Sequence, residues 1–346
     1  MKKFYLISAL FLFGIAPISS MAQSKSNPFD VEAKEYLGTP QSEEAVKKGL
    51  EYLASKQQSD GHWLSGPYNE DAAVTALCTL AFLAAGYQPG EGKYGIQLNR
   101  AVDWLADTVQ RNGLIYHGGN TGPPMYGQGF ATLCLAELYG MTPRPDLRSK
   151  LESAVQLIAS TQNAEGGWRY QPQVADADIS VSAVQFIALR AAYNAGIKVP
   201  AETVKKALQY IKNCQNNPDG GFSYMINQKG SGPARTAAAL TCLYLAGQGD
   251  CKQAQNGLRY LLAHPYKKDM WEWRQHYMYG MYYGTQAMYQ VGGEAWKNWF
   301  TDTRDRLVAT QQPGGYWTDD PGKEYATAMA VLVLQVPAGF LPIYQK

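Results

Sequence analysis

The sequence has little charge and no bias of sign. Asp, Glu, Lys and Arg make up 17% of its 346 residues, against a usual ~25% for soluble domains. The formal net charge is +2, and two lysines, Lys2 and Lys3, sit at the extreme N-terminus. A near-neutral chain without a basic tract offers no electrostatic footprint for nucleic acid or an anionic membrane surface. Cysteine is sparse too. Of the five, Cys78, Cys134 and Cys242 fall inside apolar helical patterns, where a thiol behaves as a small hydrophobe. Cys214 and Cys251 stand near predicted helix ends, so a bridge between them stays open, but no disulfide framework is laid out. The four histidines are scattered, with no two at metal-ligand spacing, which argues against a metal centre. The turn-rich stretch Gly118-Gly119-Asn120-Thr121-Gly122-Pro123-Pro124 lacks the lysine of a phosphate loop. No cofactor is expected.

Long apolar runs are also missing, apart from Phe4 to Ile15, which is too short to span a bilayer comfortably. Lys2 and Lys3 precede this run and Ser20-Met21-Ala22 follows it, the pattern of a secretory leader over residues 1–22. The expectation is an exported protein, periplasmic or secreted, with no transmembrane segment in the mature chain. No cysteine follows the cleavage site, so a lipid anchor has no attachment point. Residues 23–40 are polar and aperiodic and are expected to form a flexible lead-in.

What is abundant is tyrosine, with 24 residues, and glycine, with 34. The glycines recur in a unit of about fifty residues beginning near Gln41. Each unit runs amphipathic helix, glutamine, acidic-glycine turn, aromatic residue, loop and a second helix rich in Ala and Leu. The glutamines are read as Gln58, Gln110, Gln162, Gln215 and Gln311-Gln312. The turns that follow are Asp60-Gly61-His62-Trp63, Gly113 to Tyr116, Gly166-Gly167-Trp168, Asp219-Gly220-Gly221-Phe222 and Gly314-Gly315-Tyr316-Trp317. A degenerate fifth unit has His264-Pro265 and Trp271-Glu272-Trp273. First helices carry one apolar stripe (Val46, Leu50, Leu53; Leu98, Val102, Leu105; Leu151, Val155, Ile158; Val204, Leu208, Ile211), as an outer helix should. Second helices, Ala72 to Ala85, Ala183 to Ala195, Ala234 to Ala246 and Ala326 to Leu334, are apolar around most of their circumference. Six such hairpins predict an all-α fold over residues 41–346, an α/α toroid with inner and outer helix rings and a central cavity; an open solenoid is the alternative.

The glutamine-glycine-tryptophan repeat resembles that of squalene cyclases and of protein prenyltransferase β-subunits. Gly166-Gly167-Trp168-Arg169-Tyr170, Asn194-Ala195-Gly196, Tyr283 to Gln290 and the Leu341-Pro342-Ile343-Tyr344-Gln345 tail are similar to an exported, single-toroid branch of that superfamily. The resemblance implies a site. Squalene-type cyclases carry an Asp-x-Asp-Asp motif whose middle aspartate protonates an alkene. Asp176-Ala177-Asp178-Ile179 stands in the matching place, with Asp178 the candidate acid, Asp176 its assistant and Ile179 in place of the third aspartate. Such an acid is kept protonated by burial and a nearby like charge. Asp and Ser also suit a plain N-cap there. The zinc-binding Asp-x-Cys pair of prenyltransferases has no counterpart on an inner helix, since Asp250-Cys251 lies between units, and no Cys-Gly-Glu-Gln thioester motif is present.

Position-equivalent residues at the other inner-helix starts are Asp71, Tyr126, Arg235, Tyr279 to Tyr283, and Glu324 with Tyr325, joined by His276. Together they outline one mouth of the cavity as a candidate ligand site. Three functions fit. One is a cavity that binds an apolar ligand, isoprenoid or lipid-like, with or without acid-catalysed cyclisation or isomerisation. A second is carbohydrate chemistry, lyase or glycosidase, drawing on Asp71, Asp178, Arg235 and Glu324. The third is a non-enzymatic interaction scaffold.

Overall fold

The computed structural model describes residues 36–142, 144–264 and 276–345. Trp271 and Trp273, the leader and most of the lead-in lie outside these residues. The described helices alternate between two kinds. The amphipathic ones are α1 (Pro40–Lys56), α3 (Gly95–Asp107), α5 (Leu147–Ser160), α7 (Ala201–Asn213), α9 (Lys252–Ala263) and α11 (Gly293–Thr310). Between them come α2 (Ala72–Ala84), α4 (Pro124–Met141), α6 (Ile179–Asn194), α8 (Pro233–Leu245), α10 (Tyr277–Val291) and α12 (Lys323–Gln335). Every residue of α2 is buried, whereas α7 buries only Thr203, Ala207, Tyr210 and Ile211. Burial all round is possible only for a helix with neighbours on every side, and the pairings supply them. α2 packs on α4, α4 on α6, α6 on α8, α8 on α10, α10 on α12, and α12 returns to α2. The inner ring is therefore closed, with the amphipathic helices outside it: the fold is an α/α toroid, not an open solenoid.

Each repeat turn is a lock between one unit and the next. The positive-φ glycines Gly61, Gly166 and Gly315 lie so close to the following outer helix that a methyl group would overlap the backbone carbonyls of Arg100, Lys206 and Lys48. A glutamine four residues earlier donates twice. Gln57 Nε2 reaches the carbonyls of Gly61 (2.9 Å) and Gln97 (2.8 Å), Gln162 those of Gly166 (2.8 Å) and Thr203 (2.9 Å), and Gln311 those of Gly315 (3.0 Å) and Ala45 (2.8 Å). The last of these joins the sixth unit to the first. The tryptophan two residues after the glycine is enclosed and donates its indole N–H to the end of its own outer helix: Trp63 to Leu53, Trp168 to Ile158, Trp317 to Leu307, at 2.7 to 2.8 Å. Its backbone N–H is taken by a hydroxyl on the inner helix, from Thr75, Ser182 or Thr327. Buried polar groups are thus satisfied in a fixed pattern, as a low-dielectric interior demands.

Two expectations shift by a residue. The bridging glutamine of the first unit is Gln57, not Gln58. In the second unit Val109 holds that place, so Gln110 cannot play the part and makes only a 3.3 Å contact to the Tyr116 carbonyl. Gln128 of α4 replaces both missing groups: its Oε1 accepts from Ile115 N (2.9 Å), and its Nε2 donates to the carbonyls of Gly113 (3.0 Å) and Ala154 (3.4 Å).

At the C-terminal ends of the inner helices the tail closes the ring. Phe340 packs over Gly86, Ile343 N donates to Glu137 Oε2 of α4 (3.2 Å), and the Tyr344 carbonyl accepts from Gln290 of α10 (3.4 Å). The other end, where the inner helices begin, stays hollow.

Candidate functional site

Two adjoining cavities of about 420 and 290 Å³ share Tyr126, Tyr170, His276 and Tyr279 and so make one basin at the N-terminal ends of the inner helices. The larger is completed by Ser180, Tyr224, Ser231 and Arg235, the smaller by Tyr68, Asp71, Val74, Leu77, Phe130 and Tyr325, with Asp319 at its edge. Helix starts supply part of this wall, because an inner helix that begins at the rim aims its first turn inward. The other part comes from the residue two places after the repeat aromatic. Tyr170 follows Trp168, Tyr224 follows Phe222 and Asp319 follows Trp317 by that interval.

Six tyrosines line the wall, Tyr68, Tyr126, Tyr170, Tyr224, Tyr279 and Tyr325, beside Asp71, Arg235, His276 and Asp319. Burial pushes the phenols of Tyr126, Tyr279 and Tyr325 well above their usual range, and that of Tyr224 up as well, helped by its hydrogen bond with Tyr170. The two hydroxyls stand 2.5 Å apart. Arg169 lies across both rings, its guanidinium carbon 5.1 Å from the centre of Tyr170 and 5.5 Å from that of Tyr224, a cation–π arrangement that fixes all three side chains. His276 is pushed down by burial and by nearby Arg235, against the smaller opposing effect of Asp320.

Asp178 is wholly buried and is the N-cap of α6. Its Oδ1 accepts from the backbone N–H groups of Ser180 and Val181, each at 2.9 Å. The other oxygen, Oδ2, has no hydrogen-bond partner and lies 3.6 Å from Arg169 Nε. Burial raises the carboxyl to about 6, against the opposing pull of the two N–H groups, Arg169 and the neighbouring Tyr224 hydroxyl. Asp176 does not share this environment. It is exposed and ion-paired with the Arg169 Nη1, so the guanidinium lies between the two carboxylates and they form no like-charge dyad.

The structure brings Asp71, Tyr126, Arg235, His276, Tyr279 and Tyr325 to the basin and leaves four candidates off its lining. These are Asp176, Asp178, Tyr283 and Glu324. Tyr283 is fully enclosed, edge-on to Tyr279 and Tyr282. Glu324 points away to accept the Tyr52 hydroxyl of α1 at 2.8 Å. Asp71 is spent largely as a cap, with Oδ1 2.7 Å from Ala73 N. Tyr68, Tyr170, Tyr224, Ser231 and Asp319 were not expected; the two-residue offset from the repeat aromatic is the signal that finds three of them. All five cysteines are free thiols, Cys214 and Cys251 included. Among the described residues no three His, Cys, Asp or Glu side chains are grouped to hold a metal, and no helix is long and apolar enough to cross a membrane.

A closed ring of helical hairpins with a hollow rim defines the class of α/α toroids. Solved structures of that class match over most of the chain. A type II terpene cyclase from Scytonema superposes with a TM-score of 0.61 at 14% identity, covering 87% of this chain and 99% of its own. An α-1,6-mannanase from Salegentibacter sp. HEL1_6 gives 0.64 at 11% identity, covering 86% and 99%. A cellobiose 2-epimerase from Bacillus thermoamylovorans gives 0.63 at 14%, covering 84% and 98%. At such identities these likenesses speak for the fold alone. The sequence narrows the class. Residues 135–277 match the family model of the squalene-hopene cyclase C-terminal domain. The squalene–hopene cyclase of Bradyrhizobium diazoefficiens is 24% identical over 275 residues, 66% of this chain. The chain spans about 40% of the length of that curated relative. In its repeat and its fold the chain is similar to the squalene-cyclase-like superfamily.

Proposed function

We propose that the basin binds an apolar-bodied ligand, isoprenoid or lipid-like, in an exported protein. The observation that carries this is the wall itself. Neutral phenols from four or more units face one hollow, and Val74, Leu77 and Phe130 floor its smaller half. Apolar surface of this kind drives binding of hydrocarbon, and the phenol tips give it orientation. The carboxylates at the edge are committed to backbone: Asp71 to Ala73 N, Asp319 to Met278 N at 3.1 Å. That leaves the basin, among the described residues, without a free pair of acids of the sort that hydrolyses a glycoside.

The acid step that the family resemblance implies needs Asp178 to meet a ligand. Its Oδ2 is buried and off the lining, so binding, not turnover, is the function proposed. Native mass spectrometry with lipid extraction of the mature chain provides the test, followed by titration with a long-chain isoprenoid alcohol and a mannooligosaccharide. Uptake of the alcohol, weakened by Tyr126→Ala, is the expected result. Uptake of the sugar and not the alcohol would transfer the site to carbohydrate.

A further inference from the structure

Among the described residues Arg235 is a cation without an anion. It lies in the first turn of α8, half-buried, and lines the larger cavity together with Ser231, Tyr224 and His276. Its side chain folds against Gly232, where a methyl group would come within 2.8 Å of the guanidinium, so the glycine makes room for it. Among the described residues its one hydrogen bond is a weak one, from Nη2 to the Gly230 carbonyl at 3.4 Å. Nε is buried and has no partner at all. Among the described residues no carboxylate lies within ion-pair distance of Arg235, whereas Arg169, Arg144, Arg148, Arg304 and Arg306 each have one. Leaving a buried guanidinium N–H unmet is costly, and the group is shaped for the two oxygens of a carboxylate or phosphate.

We propose that Arg235 anchors an oxyanion head group, so that the ligand of the basin is an amphipathic acid. Its carboxylate or phosphate sits on Arg235, with the Tyr224 hydroxyl within the same cavity, while the Ser231 hydroxyl is already donated to Asp219 Oδ1 at 2.7 Å. Its apolar body runs past the shared Tyr126 and Tyr279 toward Val74, Leu77 and Phe130. The polar and the apolar ends of the basin are then two ends of one molecule. This deepens the apolar-ligand reading given above and rests on it.

The test compares three probes of equal chain length by isothermal titration: a C10 fatty acid, the C10 alkyl phosphate and the C10 alcohol, each below its solubility or micellar limit. A hydrogen-bonded charge in a half-buried site is worth roughly 10- to 100-fold in affinity. The parent is expected to bind the acid or the phosphate at least about tenfold more tightly than the alcohol, and Arg235→Gln to lose that ratio. Whichever anion leads identifies the head group. Equal affinities for alcohol and both anions in the parent would overturn the anchor and leave the apolar basin standing. So would an Arg235→Gln protein with an unchanged ratio. Binding of none of the three sinks the apolar reading too. Should Arg235→Gln not fold, Arg235→Lys serves: it is expected to keep a tighter grip on the anions than on the alcohol, but less than the parent, and a ratio equal to the parent's would count against the guanidinium.

Discussion

At Asp178 capping and catalysis make opposite demands, and pH separates them. A carboxylate that caps a helix is normally held low by the N–H groups it accepts. Here burial wins and the group rises to about 6. Its folded value therefore exceeds the unfolded value of 3.8, and the folded state binds the extra proton. Stability is unaffected below about pH 4, falls as pH climbs from 4 to 6, and stays reduced above that, by up to about 3 kcal/mol. Asn keeps the acceptor oxygen without the charge. Asp178→Asn is thus expected to be more stable than the parent by about 1 to 3 kcal/mol at pH 7.5 and equal to it near pH 4. Asp178→Ala, which gives up the cap, should recover about 1 kcal/mol less than Asn at the higher pH. Urea unfolding at the two pH values measures both. A parent and an Asn variant equally stable at pH 7.5 would mean that the buried Oδ2 is ionised without penalty.

The element scale is governed by the repeat turn, and its exception is the best test of it. Gln128 in α4 meets three backbone groups that, in the other units, a turn glutamine and a helix hydroxyl share. Gln128→Ala should cost about 2 to 4 kcal/mol, since Ile115 N and the Gly113 carbonyl lose their only side-chain partner in a buried place. Gln110→Ala, at the position the repeat spacing suggested, should stay within about 0.5 kcal/mol. Gly166 gives a second contrast. It has φ +98°, and a methyl there would run into the Lys206 carbonyl, so Gly166→Ala is expected to destabilise by more than about 2 kcal/mol. Gly118→Ala has nothing within 4 Å and should be near neutral. Equilibrium denaturation of the four variants decides both pairs.

These turns also show what the sequence makes legible. Period and composition locate the hairpins, because an all-buried helix and a striped one differ in every turn; Leu50, Leu53, Leu98 and Leu151 are buried as the stripe requires. Val204 and Leu208 are only half-buried because they line a shallow groove with Phe186 and Tyr193. The inner-helix starts were legible as rim positions for Asp71, Tyr126, Arg235 and Tyr325. Direction within the rim was not. Glu324 sits one residue before Tyr325, and a step of about 100° around the helix turns it to Tyr52 on the outer ring. Gln128 was invisible for another reason: spacing shows which glutamine repeats, not which inner-helix side chain reaches across to replace one.

For the whole molecule the decisive asymmetry is between a hollow end and a sealed one, and the seal carries a titratable group. Glu137, inside the ring near the C-terminal end of α4, is raised to about 8 by burial, against the opposing effect of the Ile343 N–H. Tyr282 and Tyr344 stand beside it, both with phenols pushed up and therefore neutral. At neutral pH the carboxyl is protonated while the tail covers it and has an ordinary value when the tail lifts. Docking of residues 341–345 is accordingly linked to proton uptake: it is fully favoured below about pH 4.5, weakens as pH rises, and loses the whole of the linked free energy above pH 8. Hydrogen exchange at the Ile343 amide is the direct readout. Corrected for intrinsic rate, its protection should drop between pH 6 and pH 9 by roughly tenfold or more. Glu137→Gln cannot ionise, so its protection should show no such step. A parent whose Ile343 protection is flat across that range would show that Glu137 is ionised in place, with the tail docked over a charge. Ligand at the opposite rim should leave this profile untouched, since the basin and the seal share no lining residue, and a shift of the step on adding ligand would reveal that the inner ring couples its two ends.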